Sequence, residues 1–326
     1  MSESSLLRAR EILALRFSCD GHADTFEHVA TRGGDFLAGI PGLQLDLPRL
    51  RAAHQNLQIM AIYTTAKEAG PAATVKACRV VEAARGAVDR SDGRLRLILS
   101  SEDLDLGDST GILLSLEGAD PLVGELQMLH FFYRAGVRAI GLTHNHNSCA
   151  AGGCAPPDGV RVGLSEFGRD LVVEMGSLGM MLDTAHLGRQ AFDDVMALAV
   201  GPVVNSHSCC RSIVDLERNL DDQQLRDIAQ SGGLVAVTFV PKFLASSGQV
   251  SSHEVFRHLE HMVEVAGIDH VGIGSDFDGT DDLPVDLRQS SDLAHLVVQM
   301  LDVGWSEDAI GKVLGKNWVR ILCSIL

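Results

Sequence analysis

The chain has 326 residues, 46% of them hydrophobic, and a formal net charge of −16. The length suits a (β/α)8 barrel with insertions, no segment approaches the roughly 18 unbroken apolar residues of a membrane span, and so acidic a chain without a basic stripe argues against nucleic acid as a partner. Seven cysteines, an odd number, behind an N-terminus without a basic head, apolar run or cleavage site, read as reduced thiols in a cytoplasmic protein.

The N-terminal stretch MSESSLLRAREILALRFSCD reads as a short amphipathic helix running into a first strand, RFSCDGH. Further strand candidates follow in order: NLQIMAIY, LRLILS, GILLSLE, VRAIGLTH, MMLDTAH, VVNSH, GLVAVTF and HVGIGSD. Runs apolar on both faces suit a parallel sheet covered by helices. Nine candidates exceed eight by one, and LRLILS is the surplus, because it leads into a short acidic turn and not a crossover helix. The helical segments between them are AATVKACRVVEAARGAV, then SEFGRDLVVEMGSLG with a Ser165 cap and a Gly179 stop, then DDQQLRDIAQSGG with acids in its first turn and a Gly232–Gly233 stop. SHEVFRHLEHMVEVAG and SEDAIGKVLGKNWVRIL complete the set. The alternation predicts an α/β fold, a (β/α)8 TIM barrel, as a single domain over residues 1–326 with short helical additions at both termini. Periodicity alone also permits a doubly wound open sheet, which would not easily bring five strand ends together. Two long loops, NSCAAGGCAPPDGVRVG after His144 and FDGTDDLPVDLRQS after Asp276, are expected to overhang the site as lid or pocket wall.

Five strand ends carry metal-type ligands: His22 and Asp24, Glu117, His186, His207, and Asp276. In a parallel barrel all strand C-termini open on one face, so such groups meet there. Imidazoles and carboxylates without thiolates suit zinc, or another divalent metal, in a hydrolytic site. His22 and Asp24, two apart on a strand end, point the same way. A buried Glu117 needs a cation or a proton, and its two oxygens can bridge two metals. His186 and His207 each read as an ordinary core histidine when taken alone; at equivalent ends of consecutive strands they read as ligands, with Asp183 and Asn205 among the candidate acceptors for their other N–H, between which sequence does not choose. His144, in LTHNHN, is free to donate to a substrate carbonyl oxygen, while His146 reads as an ordinary loop residue. Asp276 can take a proton as hydroxide attacks and return it to the leaving amine; Asp278 reads as structural or solvated. Arg218, in LERNLDD, can grip a carboxylate or pair with Asp221 or Asp222, and spacing does not decide between them. The cysteines do not form the two spaced pairs of a thiolate zinc site.

The stretches DGHAD, SLEGAD, LTHNHN, GLSEFGRDLVVEMGSLGMMLDTAH, VVNSHS, RNLDDQQL, HVGIGSDFDG and KVLGKNWVRIL, in this order over nearly the whole chain, resemble the membrane (renal) dipeptidase family, peptidase family M19, an amidohydrolase-like group of metal-dependent hydrolases. The resemblance implies a binuclear zinc site with His22 and Asp24 on one ion, His186 and His207 on the other, and Glu117 bridging. It implies His144 on the substrate carbonyl, Arg218 on the substrate's terminal carboxylate and Asp276 as the catalytic aspartate. The implied reaction is hydrolysis of dipeptides, with tolerance of a D-residue at the second position, by attack of a metal-bridging hydroxide. Two departures stand out: Ala185 replaces the serine frequent before the histidine of MMLDTAH, and Val240 stands where animal members carry a tyrosine near the substrate. The secretory signal and lipid anchor of the animal enzymes are absent, so the expectation is a microbial-type member with two Zn2+, a small dipeptide substrate, no membrane and no nucleic-acid partner; a homodimer is a family-level expectation. The alternatives are another amidohydrolase-type C–N hydrolase (a deaminase or cyclic amidase) and a non-catalytic metal-binding barrel. The presence of both Asp276 and His144 counts against the latter.

Overall fold

The computed structural model describes residues 3–65, 67, 68 and 70–326; Met1 and Ser2 of the predicted N-terminal helix lie outside them. Nine strands appear among the described residues: β1 (Cys19–Ala23), β2 (Leu57–Tyr63), β3 (Leu95–Leu97), β4 (Thr110–Glu117), β5 (Val137–Gly141), β6 (Met181–Asp183), β7 (Val204–Ser208), β8 (Leu234–Val237) and β9 (Val271–Ile273). All pair in parallel. β2 bonds directly to β4 along its whole length, from Leu57↔Gly111 to Tyr63↔Glu117, and β1 bonds to β9 through Asp20↔Ile273. The closed ring is therefore β1-β2-β4-β5-β6-β7-β8-β9, and β3 lies outside it, bonded only to the start of β4. This is an eight-stranded parallel α/β barrel, and LRLILS is the extra element.

The helices form where side-chain caps meet apolar periodicity. Ser165 accepts from Gly168 N–H to open the helix Glu166–Leu178, which stops at Gly179 in the left-handed region. Asp221 and Gln224 make a reciprocal capping box on Asp222–Gln230, and Ser251 and Glu254 do the same on Ser252–Ala266. The predicted C-terminal helix divides into Glu307–Gly311, a π-helical turn over Lys312–Lys316, and Asn317–Ile325.

That last helix plugs the barrel. Trp318, Ile321 and Leu322 pack on Cys19, Leu57, Leu113, Ala139, Met181, Val204 and Leu234 from seven successive ring strands. These are mostly residues near strand starts, so the plug closes the end remote from the strand C-termini. Trp318 donates its indole N–H to the Ile273 carbonyl at 3.1 Å. A Cβ on Gly21 would lie 2.2 Å from Trp318 Cζ2, so only glycine lets the indole seat. A second, larger core lies between the ring and its helices. With one end filled by apolar side chains, polar groups can converge only at the other.

Candidate metal centre

The side chains at the open end are aimed by irregular backbone just beyond the strands. His186, Asp276 and Asp278 have φ of 65°, 69° and 63°, a left-handed conformation that costs a non-glycine residue about 1–3 kcal/mol. Buried carboxylates hold these turns in place. Asp183 Oδ1 accepts the backbone N–H of Ala185 at 3.0 Å and of Ser206 at 2.9 Å, tying the turn that presents His186 to the strand that presents His207. Asp20 repeats the device between β1 and β9, accepting from the N–H groups of His22 and Ser275 and from the Ser275 hydroxyl.

The Glu117 carboxylate divides the cluster in two. Oε1 lies 2.8 Å from His186 Nε2 and 3.4 Å from His207 Nε2. Oε2 lies 3.5 Å from His22 Nε2, which in turn is 3.8 Å from Asp24 Oδ2 and 3.9 Å from Asp276 Oδ1. All of these groups are buried except Asp276, which is partly open to the cavity.

Whether these donors suit cations can be judged from the protons. His186 Nδ1 lies 2.9 Å from Asn145 Oδ1, and His207 Nδ1 lies 2.8 Å from the Ser206 hydroxyl. Asn145 Oδ1 can accept from His186 Nδ1–H and the Ser206 hydroxyl from His207 Nδ1–H; with the protons placed so, both Nε2 atoms carry lone pairs and face each other at 2.9 Å beside Glu117 Oε1. Three converging acceptors repel unless a proton or a metal ion sits among them. On the other side, His22 Nε2 and Asp24 Oδ1 are buried without a hydrogen-bond partner among the described residues. Overlapping triads, Glu117–His186–His207 and His22–Asp24–Glu117, therefore fit a binuclear metal site; His22–His207–Asp276 forms a third overlapping group. Asp183 and Asn205, candidates in the sequence for the acceptors behind the ligand histidines, are not: Asp183 binds backbone amides, and Asn205 donates to the Thr184 hydroxyl. Asn145 and Ser206 fill that role.

The electrostatics show the same shortage of positive charge. Burial opposes charging of His22, but Glu117, Asp24 and Asp276 outweigh it and raise its pKa to about 10. Burial, then Glu117, pushes Asp24 well above the usual carboxylate range, and burial pushes Asp276 upward. Burial, then Arg218, holds His186 far below the ordinary imidazole value; burial, then His22, does the same to His207. A neutral imidazole is the form that binds metal.

Above the cluster is a cavity of about 200 Å³. Glu117, Asp24, His186 and Asp276 form its floor, and Tyr63, His144, Asn145, Val240, Lys242, Phe243, Gly279 and Thr280 its walls. A larger cleft of about 440 Å³ lies outside the helices near Val172 and Ile325, but no titratable side chain lines it. The loop after Asp276 gives Gly279 and Thr280 to the wall. The loop after His144 does not line the cavity beyond Asn145; it braces His186, with Cys154 N–H bonded to the His186 carbonyl at 2.8 Å and Gly188 N–H to Gly152 at 2.9 Å.

His144 borders the cavity with its ring 4.6 Å from that of His186 and 5.7 Å from Tyr63; burial lowers its pKa and keeps it neutral. Arg218 pairs with neither Asp221 nor Asp222. Its Nη2 donates to the His207 carbonyl at 2.7 Å and Nη1 to the Ser208 hydroxyl at 3.3 Å, while Nε–H is buried without an acceptor among the described residues. Its guanidinium carbon lies 5.5 Å from the centre of the Phe243 ring, which lines the cavity. His146 bonds Asp120 away from the cavity, and Asp278 accepts from Thr25 and Gln44, so both are structural. Tyr63, at the end of β2, was missed although it obeys the same strand-end rule. Ser206 was hidden because neighbours on a regular strand point to opposite faces, and β7 shifts register between Asn205 and Ser208.

Comparison with known proteins agrees with this geometry. The family described as membrane dipeptidase (peptidase family M19) matches residues 6–325. A Klebsiella pneumoniae protein, described as an uncharacterized protein in the pqqA 5′ region, is 34% identical over 249 residues, covering 73% of this chain and 92% of its own. The dipeptidase tcpJ of Claviceps purpurea is 32% identical over 211 residues, 64% of this chain and 50% of its own. A metallo peptidase from Rhodobacter sphaeroides, crystallised with a phosphinate mimic of the dipeptide L-Ala-D-Ala, superposes with a TM-score of 0.88 at 27% identity over 95% of this chain and 99% of that one. The chain belongs to the membrane dipeptidase family, peptidase family M19.

Proposed function

We propose that the protein is a zinc-dependent dipeptidase that hydrolyses free dipeptides and accepts a D-residue at the C-terminal position. The observation that carries this reading is the division of Glu117, one oxygen toward His186 and His207 and the other toward His22 and Asp24. His22 and Asp24 would hold one ion, His186 and His207 the other, and Glu117 would serve both. Nitrogen and oxygen donors without thiolate support zinc. Bound there, the ions supply Lewis-acid polarisation of the scissile carbonyl and a water reactive at neutral pH.

The remaining roles fall to the chain. Asp276, held beside His22 on a strained turn, takes the proton of the attacking water and delivers it to the departing amine. Neutral His144 donates to the carbonyl oxygen as negative charge develops. Arg218 holds the substrate's free carboxylate, supported by its buried, unpaired Nε–H. The mimic bound by the Rhodobacter relative supports tolerance of a D-configured second residue. Among the described residues no helix is long and apolar enough to cross a membrane. All seven thiols are unpaired, which supports a reducing, cytoplasmic setting.

The test is zinc-loaded enzyme against L-L and L-D dipeptides, their C-terminal amides, and cyclic amides. Turnover of the free dipeptides and weak turnover of the amides is expected. Hydrolysis of cyclic amides alone, or of nothing, would end the assignment.

A further inference from the structure

One carboxamide touches two histidines with different duties. Asn145 follows His144 directly, and its side-chain amide reaches both the His144 and the His186 rings. Nδ2 is 3.2 Å from His144 Nε2, and Oδ1 is 2.9 Å from His186 Nδ1. The Cys154 thiol also approaches Oδ1, at 3.6 Å. Backbone bonds fix the amide: Ala155 N–H donates to the Asn145 carbonyl at 2.8 Å, and the adjoining Cys154 N–H donates to that of His186 at 2.8 Å.

Chemistry decides which way the amide points. With Nε2 of His186 given to a metal ion, as proposed above, the ring proton belongs on Nδ1 and needs an acceptor. The Cys154 S–H needs one at the same place. Oδ1 serves both, which leaves the NH2 group facing His144. An amide nitrogen only donates, so His144 Nε2 must accept, and the single proton of a neutral His144 sits on Nδ1.

We infer that Asn145 is a positioning residue that sets two tautomers in opposite senses: Nε2 of His186 bare for a metal ion, and Nδ1–H of His144 as the donor offered to substrate. The inference rests on the roles proposed above for His186 and His144. It separates two functions in one side chain, because only Oδ1 serves the metal and only Nδ2 serves the tautomer of His144.

Two variants separate the halves. Asn145→Asp keeps an acceptor for His186 but has no N–H; the His144 proton moves to Nε2 to face the new carboxylate, and Nδ1 is left bare. Asn145→Ala loses both contacts. Zn2+ titration of chelator-stripped protein, ¹⁵N NMR of histidine-labelled, zinc-loaded protein, and steady-state kinetics read the outcome. Asn145→Asp is expected to bind Zn2+ at least as tightly as the parent, to show His144 as the Nε2–H tautomer, and to lose roughly 10²-fold in kcat with KM little changed. Asn145→Ala is expected to lose about 10–100-fold in Zn2+ affinity as well. A parent protein with His144 protonated on Nε2, or an alanine variant with unchanged Zn2+ affinity, overturns the inference. The NMR and titration readouts need no substrate, so a parent that cleaves no dipeptide would sink the proposed activity and leave this question still decided.

Discussion

Replacing Glu117 with glutamine keeps the side chain's shape while removing its charge and one of its two acceptor oxygens. The carboxylate is shared by His186 and His207 through Oε1 and by His22 through Oε2, so neither ion position survives the change intact. With zinc at about 100 times its dissociation constant, each ion stabilises the folded chain by about 2.7 kcal/mol, or roughly 5 kcal/mol for two. Unfolding entropy of about 2.1 cal/mol/K per residue gives roughly 0.7 kcal/mol/K for 326 residues, so zinc raises the parent's melting midpoint by about 8 °C. Glu117→Gln is expected to keep only a small part of that shift and to bind fewer than two ions per chain. Scanning fluorimetry of chelator-stripped protein with and without zinc, paired with elemental analysis, measures both. A variant that takes up two ions and gains the full shift would refute the shared-carboxylate reasoning.

Other consequences follow from single residues. Asp276→Asn should lower kcat by about 10²–10⁴ while zinc stoichiometry stays unchanged, because Asp276 moves a proton in this account; loss of an ion would make it a ligand instead. Arg218→Ala should raise KM for free dipeptides by roughly tenfold or more and leave C-terminal amides unaffected, since an Arg–carboxylate hydrogen bond is worth about 1.5–3 kcal/mol; equal losses on both substrates would count against a carboxylate grip. His258 is buried, with Nδ1 accepting from Cys210 N–H at 2.9 Å and Nε2–H donating to the Leu244 carbonyl at 3.1 Å, and burial pushes its pKa down to about 4. An unfolded histidine titrates near 6.5, so between these values the unfolded chain binds more protons, and stability falls by up to about 3 kcal/mol as pH drops from about 6.5 to 4. Urea unfolding across that window should show the slope in the parent and a flatter one in His258→Gln; identical slopes would remove His258 from the account. Gly21→Ala drives a methyl into the Trp318 ring and should cost about 1–3 kcal/mol in the same assay without altering zinc stoichiometry.

The barrel and the cluster of imidazoles and carboxylates at its mouth were legible because both obey simple periodicities. Strands buried on both faces read as apolar runs, and His22, Asp24, Glu117, His186, His207 and Asp276 all punctuate their ends. Even the surplus strand was visible, since nothing after LRLILS could serve as a crossover helix. What escaped was set by backbone irregularity and by contacts between distant loops. The register shift in β7 turns Ser206 toward His207, and the loop carrying Cys154 returns to the His186 turn, placing Asn145 beside it. Asp183 is a candidate acceptor for a ligand imidazole in the sequence, but in the fold its oxygen is taken by two backbone amides that the bend itself exposes. Arg218 was ambiguous in sequence because acids follow it; in the fold Asp221 pairs with Arg189 and Asp222 with His261, leaving Arg218 to the strand end of His207.

The central claim is that Glu117 stands between two metal ions. Anomalous scattering at the zinc edge from crystals of zinc-loaded protein tests it directly. Two peaks are expected roughly 3.5–4 Å apart, one beside His22 and Asp24 and the other beside His186 and His207, with one Glu117 oxygen on each. A single peak, or two peaks that Glu117 does not join, would contradict it.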